Sequence, residues 1–165
     1  KPIILYNVPS RTGVAIKPET YFELSKHPNI VATKEANGDL SAIATTKYLC
    51  GDNLDIYSGN DDQIVPVMSL GGIGVISVLS NVLPKETHDL CASFLNGDTK
   101  KAGEMQIKYT GLINALFSDV NPIPVKEAMN LLGLDVGPCR LPLYPMNEAA
   151  KENLKAKLIE CGLKL

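Results

Sequence analysis

Polar side chains stand where the apolar runs of the first half of the chain stop, and they set the chemistry open to it. Lys34 follows Ile30-Val31-Ala32-Thr33 with no turn residue between. Its stem starts in an apolar environment, and partial desolvation there favours the neutral amine over the ammonium. A neutral amine has the lone pair that attacks a carbonyl to form an imine. A solvated strand-end lysine, or one paired with Glu35, is the competing reading. Tyr6 sits at the matching place on the preceding apolar run. A phenol both donates and accepts a proton, which suits the gain and loss of water in imine chemistry; an aromatic core residue is the alternative. Arg11 lies in the loop just after that run. It is one of two arginines, with Arg140, among 16 basic residues. Where lysine is the default cation, an arginine points to a need for bidentate geometry, such as clasping a carboxylate, against the alternative of a surface charge. Arg140 falls in a Pro-containing linker and reads as structural.

Other motifs carry less. Ser58-Gly59-Asn60-Asp61 follows a strand and precedes a helix, which suits either anion binding at a helix N-terminus or a plain capping turn. Gly71-Gly72-Ile73-Gly74 precedes a strand instead of opening a helix after one, so it reads as a helix stop and a tight strand entry and not as a dinucleotide fingerprint. His27 and His88 have no partner at metal or triad spacing. The four cysteines, Cys50, Cys91, Cys139 and Cys161, form no C-x-x-C pair. A zinc site is not expected, and Cys50, Cys91 and Cys161 read as small hydrophobes on helices in a reducing, cytoplasmic setting.

The elements that must hold these residues alternate. Apolar strands are expected at Ile3 to Val8, Ile30 to Thr33, Leu54 to Tyr57 and Val75 to Leu79. Helices follow from Pro18, from Leu40 to Leu49 behind a cap at Asp39, and through Ile64 to Leu70 behind a cap at Asp61 or Asp62. The strands are apolar on both faces, as buried parallel strands are. The fold class is therefore α/β with a parallel sheet. From Lys85 to Phe117 the chain reads as mostly helical, followed by helices from Pro124 to Leu132 and Asn147 to Cys161. Four such strands could form a small open sheet or part of a larger barrel, and the balance depends on what the strand ends carry.

The chain has 165 residues, is 45% apolar and carries a formal charge of −2, with no basic arm or acidic tail. Those features argue against a nucleic-acid or membrane partner. The longest apolar runs fall well short of the ~20 residues that cross a bilayer. The chain opens Lys1-Pro2-Ile3-Ile4-Leu5, without an initiator Met or a leader, which reads as a sequence from whose front something has been removed.

Taken in order, Tyr6-Asn7-Val8-Pro9-Ser10-Arg11-Thr12-Gly13, Lys34-Glu35-Ala36, Ser58-Gly59, Gly72-Ile73-Gly74-Val75-Ile76-Ser77-Val78 with Asn81, Asn121-Pro122-Ile123-Pro124-Val125-Lys126 and Arg140-Leu141-Pro142-Leu143 resemble the dihydrodipicolinate synthase family of pyruvate-dependent class I aldolases. The resemblance runs the length of the chain. It implies the C-terminal half of a (β/α)8 TIM barrel, with the last four strands in residues 1–84 and the last barrel helix and a C-terminal helical extension in residues 85–165. It also implies a lyase that condenses pyruvate with aspartate semialdehyde to 4-hydroxy-tetrahydrodipicolinate, in lysine and diaminopimelate biosynthesis. Lys34 would form the imine, Tyr6 would relay protons and Arg11 would bind the semialdehyde carboxylate. Gly59 and Ile76 would line the pyruvate pocket through backbone groups. The imine supplies the electron sink, so no metal or organic cofactor is implied. Relatives that cleave sialic acid generally lack an arginine at the Arg11 place, which favours the synthase. Where the family often has S-G-D-D, this chain has Ser58-Gly59-Asn60-Asp61.

The resemblance lacks the family's first four β/α units, and with them a threonine and a second tyrosine of the proton relay. A (β/α)8 barrel needs eight strands. Four leave two unpaired sheet edges and an apolar face open to water, so the 165 residues alone are expected to be inactive until the N-terminal half or association completes the barrel. Homo-oligomers, commonly tetramers, are implied. Another pyruvate aldolase, or a catalytically silent half-barrel used in assembly, are the alternatives.

Overall fold

A computed structural model describes residues 1–165. The chain divides into two compact units, residues 1–77 with 91–99, and residues 78–90 with 100–165.

The first unit is built on four parallel strands, β1 (Ile3–Asn7), β2 (Ile30–Glu35), β3 (Asp55–Ser58) and β4 (Gly74–Val75), paired in the order β1-β2-β3-β4. Strict chain order in an all-parallel sheet requires a crossover after every strand. The first crossover holds α1 (Pro9–Thr12) and α2 (Pro18–Leu24), the second α3 (Leu40–Cys50) and the third α4 (Ile64–Ser69). Pro18 opens α2, where its missing N–H costs nothing. The Asp39 carboxylate accepts from the Ala42 N–H and caps α3 as expected, worth about 1 kcal/mol. Two small apolar clusters bind the layers. Tyr21, Cys50 and Leu54 are buried with Leu5, Ile16 and Ile30 against them. Ile43, Ile56 and Val67 form the other.

The second unit has no strand. It is built from α6 (Thr99–Leu116), α7 (Ile123–Leu131) and α8 (Glu148–Glu160). The division between the units falls within α5 (Pro84–Leu95). Leu112, Leu116, Leu154 and Leu158 are buried in a core of fourteen residues. Each such leucine contributes roughly 1.5–3 kcal/mol by leaving water. Asn147 caps α8 by accepting from the Ala150 N–H. Of Gly97, Gly103 and Gly111, each a weak interruption on sequence, only Gly97 breaks the helix: it takes φ +88° between α5 and α6, a conformation that side chains with a Cβ resist. Gly103 and Gly111 stay inside α6.

Several expected boundaries shift. β2 runs on through Lys34 and Glu35, because Glu35 is buried on hydrogen-bond partners of its own. Residues 9–12 form a helical turn where a loop was expected. Neither Asp61 nor Asp62 caps α4: both lie in a 3-10 turn, Asp61–Gln63, that precedes it. β4 is two residues long where five were expected, although the Ile76 N–H still bonds the Ser58 carbonyl at 2.9 Å. The Gly71–Gly74 segment acts as helix stop and strand entry. A Cβ on Gly72 would lie 2.8 Å from Val67 Cγ1.

Candidate active site

The C-terminal ends of β1, β2 and β3 bring three of the expected residues together. Tyr6 and Lys34 are register partners, and Lys34 is in turn the partner of Tyr57. Lys34 Nζ stands 4.1 Å from the centre of the Tyr6 ring. The lysine is half-buried, whereas Tyr6 is 48% exposed. Gly59 closes the third side. Its N–H donates to the Glu35 carbonyl at 2.7 Å. A Cβ there would lie 2.7 Å from Ala36 Cβ and 3.2 Å from Lys34 Cγ. Only glycine lets β3 come this close to the lysine stem.

Ser58 accounts for the next turn. Its hydroxyl donates to the Asn60 carbonyl at 2.7 Å and accepts from the Asn60 N–H at 3.2 Å. That is the capping-turn reading of the segment, and the helix after it has only six residues. Ile76 follows β4 and is 38% exposed. Arg11 sits exposed in α1, with its N–H bonded to the Val8 carbonyl. It joins none of the chain's ion pairs. Arg140 contributes its backbone carbonyl to a turn, accepting from the Leu143 N–H.

What sequence reasoning missed lies on the opposite side of the same strands. The Glu35 carboxylate is not a partner of Lys34. It is buried and accepts from Asn7 Nδ2 at both oxygens, at 3.0 and 3.1 Å. The Tyr21 hydroxyl donates to it at 2.9 Å, and the Asn37 N–H at 3.0 Å. Thr33 Oγ1 donates to the Tyr21 oxygen at 3.0 Å. Burial raises the Glu35 pKa, opposed by donors from Asn7, Tyr21 and the backbone. Burial also drives the Tyr21 phenol up, beyond any physiological titration. The one available signal was a glutamate beyond Lys34 with no turn residue between it and an apolar run.

The thiols are free. Burial raises the pKa of Cys50, Cys91 and Cys161, as for small buried hydrophobes. His27 serves a turn, its Nδ1 accepting from the Asn29 N–H.

The model of the Dihydrodipicolinate synthetase family matches residues 1–161. The chain belongs to that family. A 4-hydroxy-tetrahydrodipicolinate synthase of Caldicellulosiruptor saccharolyticus is 61% identical over 164 residues, which is 99% of this chain and 55% of the relative. The dihydrodipicolinate synthase structure from Thermotoga maritima superposes with a TM-score of 0.96 at 43% identity, over 99% of this chain and 57% of that one. The chloride-inhibited dihydrodipicolinate synthase from Acinetobacter baumannii, complexed with pyruvate, superposes with a TM-score of 0.95 at 39% identity, over 99% and 56%. The chain thus spans about half the length of the family members it matches. Its fold is the C-terminal half of a (β/α)8 barrel with a C-terminal helical part. No helix is long and apolar enough to cross a membrane.

Proposed function

We propose that this chain carries the imine-forming half of a lyase site that condenses pyruvate with aspartate semialdehyde. The observation that carries the reading is the Lys34 amine over the Tyr6 ring at the C-terminal ends of adjacent parallel strands, the end of a barrel sheet where chemistry is placed. Family membership and the names of the relatives support it.

In this scheme the Lys34 amine adds to the pyruvate C2 carbonyl. The carbinolamine then loses water, leaving an imine that draws electrons from C3. Tyr6 takes and returns the protons that this addition and dehydration require. Loss of a C3 proton gives the enamine, whose carbon attacks the aldehyde of the second substrate. The amine of that substrate then adds to C2 and displaces Lys34, closing the ring and freeing the lysine. The imine is the electron sink, so the scheme calls for no metal or organic cofactor. The Gly59 and Ile76 backbone would bound the pyruvate pocket. Arg11, exposed and without an ion-pair partner, would take the semialdehyde carboxylate. The other four β/α units carried by longer relatives would complete the site, in a homo-oligomer.

Pyruvate and borohydride, added to the protein at its natural length, test the reading. One adduct is expected, with the mass of pyruvic acid less one oxygen, mapping to the Lys34 peptide and absent from Lys34→Ala. Absence of any adduct in the unaltered protein would sink the imine mechanism.

A further inference from the structure

The strand pair that carries Lys34 and Tyr6 does not keep one register throughout. β1 starts out of step with β2: Ile3 pairs with Ile30, yet Ile4 pairs with Ala32, so the register shifts between the first two residues. Ile4 and Tyr6, which share the Lys34 side, are both about half exposed, on the face that the other four β/α units would cover in the proposed site. Register is fixed where one face is buried, because a slip by one residue would turn every side chain to the other face; here the buried face is the one that carries Asn7, Thr33 and Glu35.

Near the other end of the pair, the register is fixed by polar groups. Asn7 and Glu35 are register partners, each one residue beyond Tyr6 and Lys34 in its strand. Side chains alternate, so these two point away from the site. The Asn7 amide spans both Glu35 oxygens, and its own oxygen accepts from the Ile16 N–H at 3.0 Å. Tied at both ends, the amide has one orientation. The backbone on either side of the pair is fixed as well. The Ala36 N–H donates to the Asn7 carbonyl at 2.9 Å, and the Gly59 N–H donates to the Glu35 carbonyl. A pair of well-packed apolar side chains would bury here at lower cost than a carboxyl group, but without direction.

We propose that the buried Asn7–Glu35 pair is a positioning device for the reactive amine: it sets the register and twist of β1 on β2, and thereby the placement of Lys34 against the Tyr6 phenol. The inference rests on the imine reading of Lys34. Neither Asn7 nor Glu35 touches a substrate in this scheme; both act through the strands. Glu35→Gln keeps the shape but turns one acceptor oxygen into a donor, so the Asn7 amide can no longer bridge both atoms. Tyr21→Phe is milder, removing one donor to Glu35 while leaving the bridge.

The test is rapid-quench borohydride trapping with pyruvate, in the protein at its natural length, with rates normalised to folded protein. In Glu35→Gln, imine formation at saturating pyruvate should fall roughly 10- to 100-fold, the scale of a misplacement near 1 Å, while the half-saturating pyruvate concentration stays within about threefold. Tyr21→Phe should fall in the same direction by less. If Glu35→Gln does not fold, Tyr21→Phe and Asn7→Ser give the reading. Rates per folded molecule equal to the unaltered protein, with only the thermal midpoint lowered, would overturn the positioning role and leave the imine mechanism standing. No adduct in the unaltered protein would overturn that mechanism and this inference with it.

Discussion

On one side of the β1–β2 pair Tyr6 is 48% exposed and Lys34 half-buried; one residue further along each strand, Asn7 and Glu35 are 1% and 4% exposed. The two sides share a backbone and differ in everything else. The open side makes one cation–ring contact and leaves its polar atoms available to a ligand. The closed side has four side chains, Thr33, Tyr21, Glu35 and Asn7, each bonded to the next. Polar groups that must react are left accessible, and polar groups that must hold still are given every partner they can use. Alternation along a strand lets one pair of strands serve both ends.

Substitutions can break the contrast. The largest stability effect should come from the closed side. Tyr21→Phe removes one of the donors to a buried carboxylate and the acceptor for Thr33, and should cost about 1–3 kcal/mol in urea unfolding. A cost near zero would mean that the network is not holding the strands.

A smaller effect follows from pH. Burial raises the Glu35 pKa above its ordinary 4.5, so in the window above 4.5 the folded chain binds more of this proton than the unfolded chain. Stability contributed by Glu35 should therefore fall as pH rises through that window and then level off. Subtracting the profile of Glu35→Gln isolates the group. A difference that rises with pH would mean that the donors outweigh burial.

The smallest stability change belongs to the open side. Tyr6→Phe should move unfolding by no more than about 0.5 kcal/mol, yet slow imine trapping by roughly 100-fold or more, the usual scale for losing a general acid–base. An equal loss of stability on both sides would erase the distinction.

The alternation of apolar runs with Pro, Gly and Asp punctuation made the four strands of a parallel sheet legible, because each signal is local. Lys34 and Tyr6 were legible as a pair for the same reason: each ends an apolar run. The extension of β2 through Lys34-Glu35 was not, since two charged residues in a row look like the start of a loop. Its cause lies 28 residues away at Asn7 and 14 away at Tyr21. Contacts at that separation leave no periodicity to read. Arg11 shows the converse limit. Its rarity was visible, but its seat on the helical turn Pro9–Thr12 depends on backbone bonds from residues 11 to 13 back to Val8 and Pro9.

The apolar clusters described above also differ in size, and that bears on cooperativity. Residues 1–77 hold two clusters of three fully buried side chains each, whereas the strand-free unit holds fourteen in one. The clusters share no residue. Free energies of local opening should then be graded along the sequence. Amides of α6 around Leu112 and Leu116 would exchange last, and those of β1 early. A single unfolding free energy would not describe such a chain, and the strands bearing the reactive lysine would lie in its less protected part.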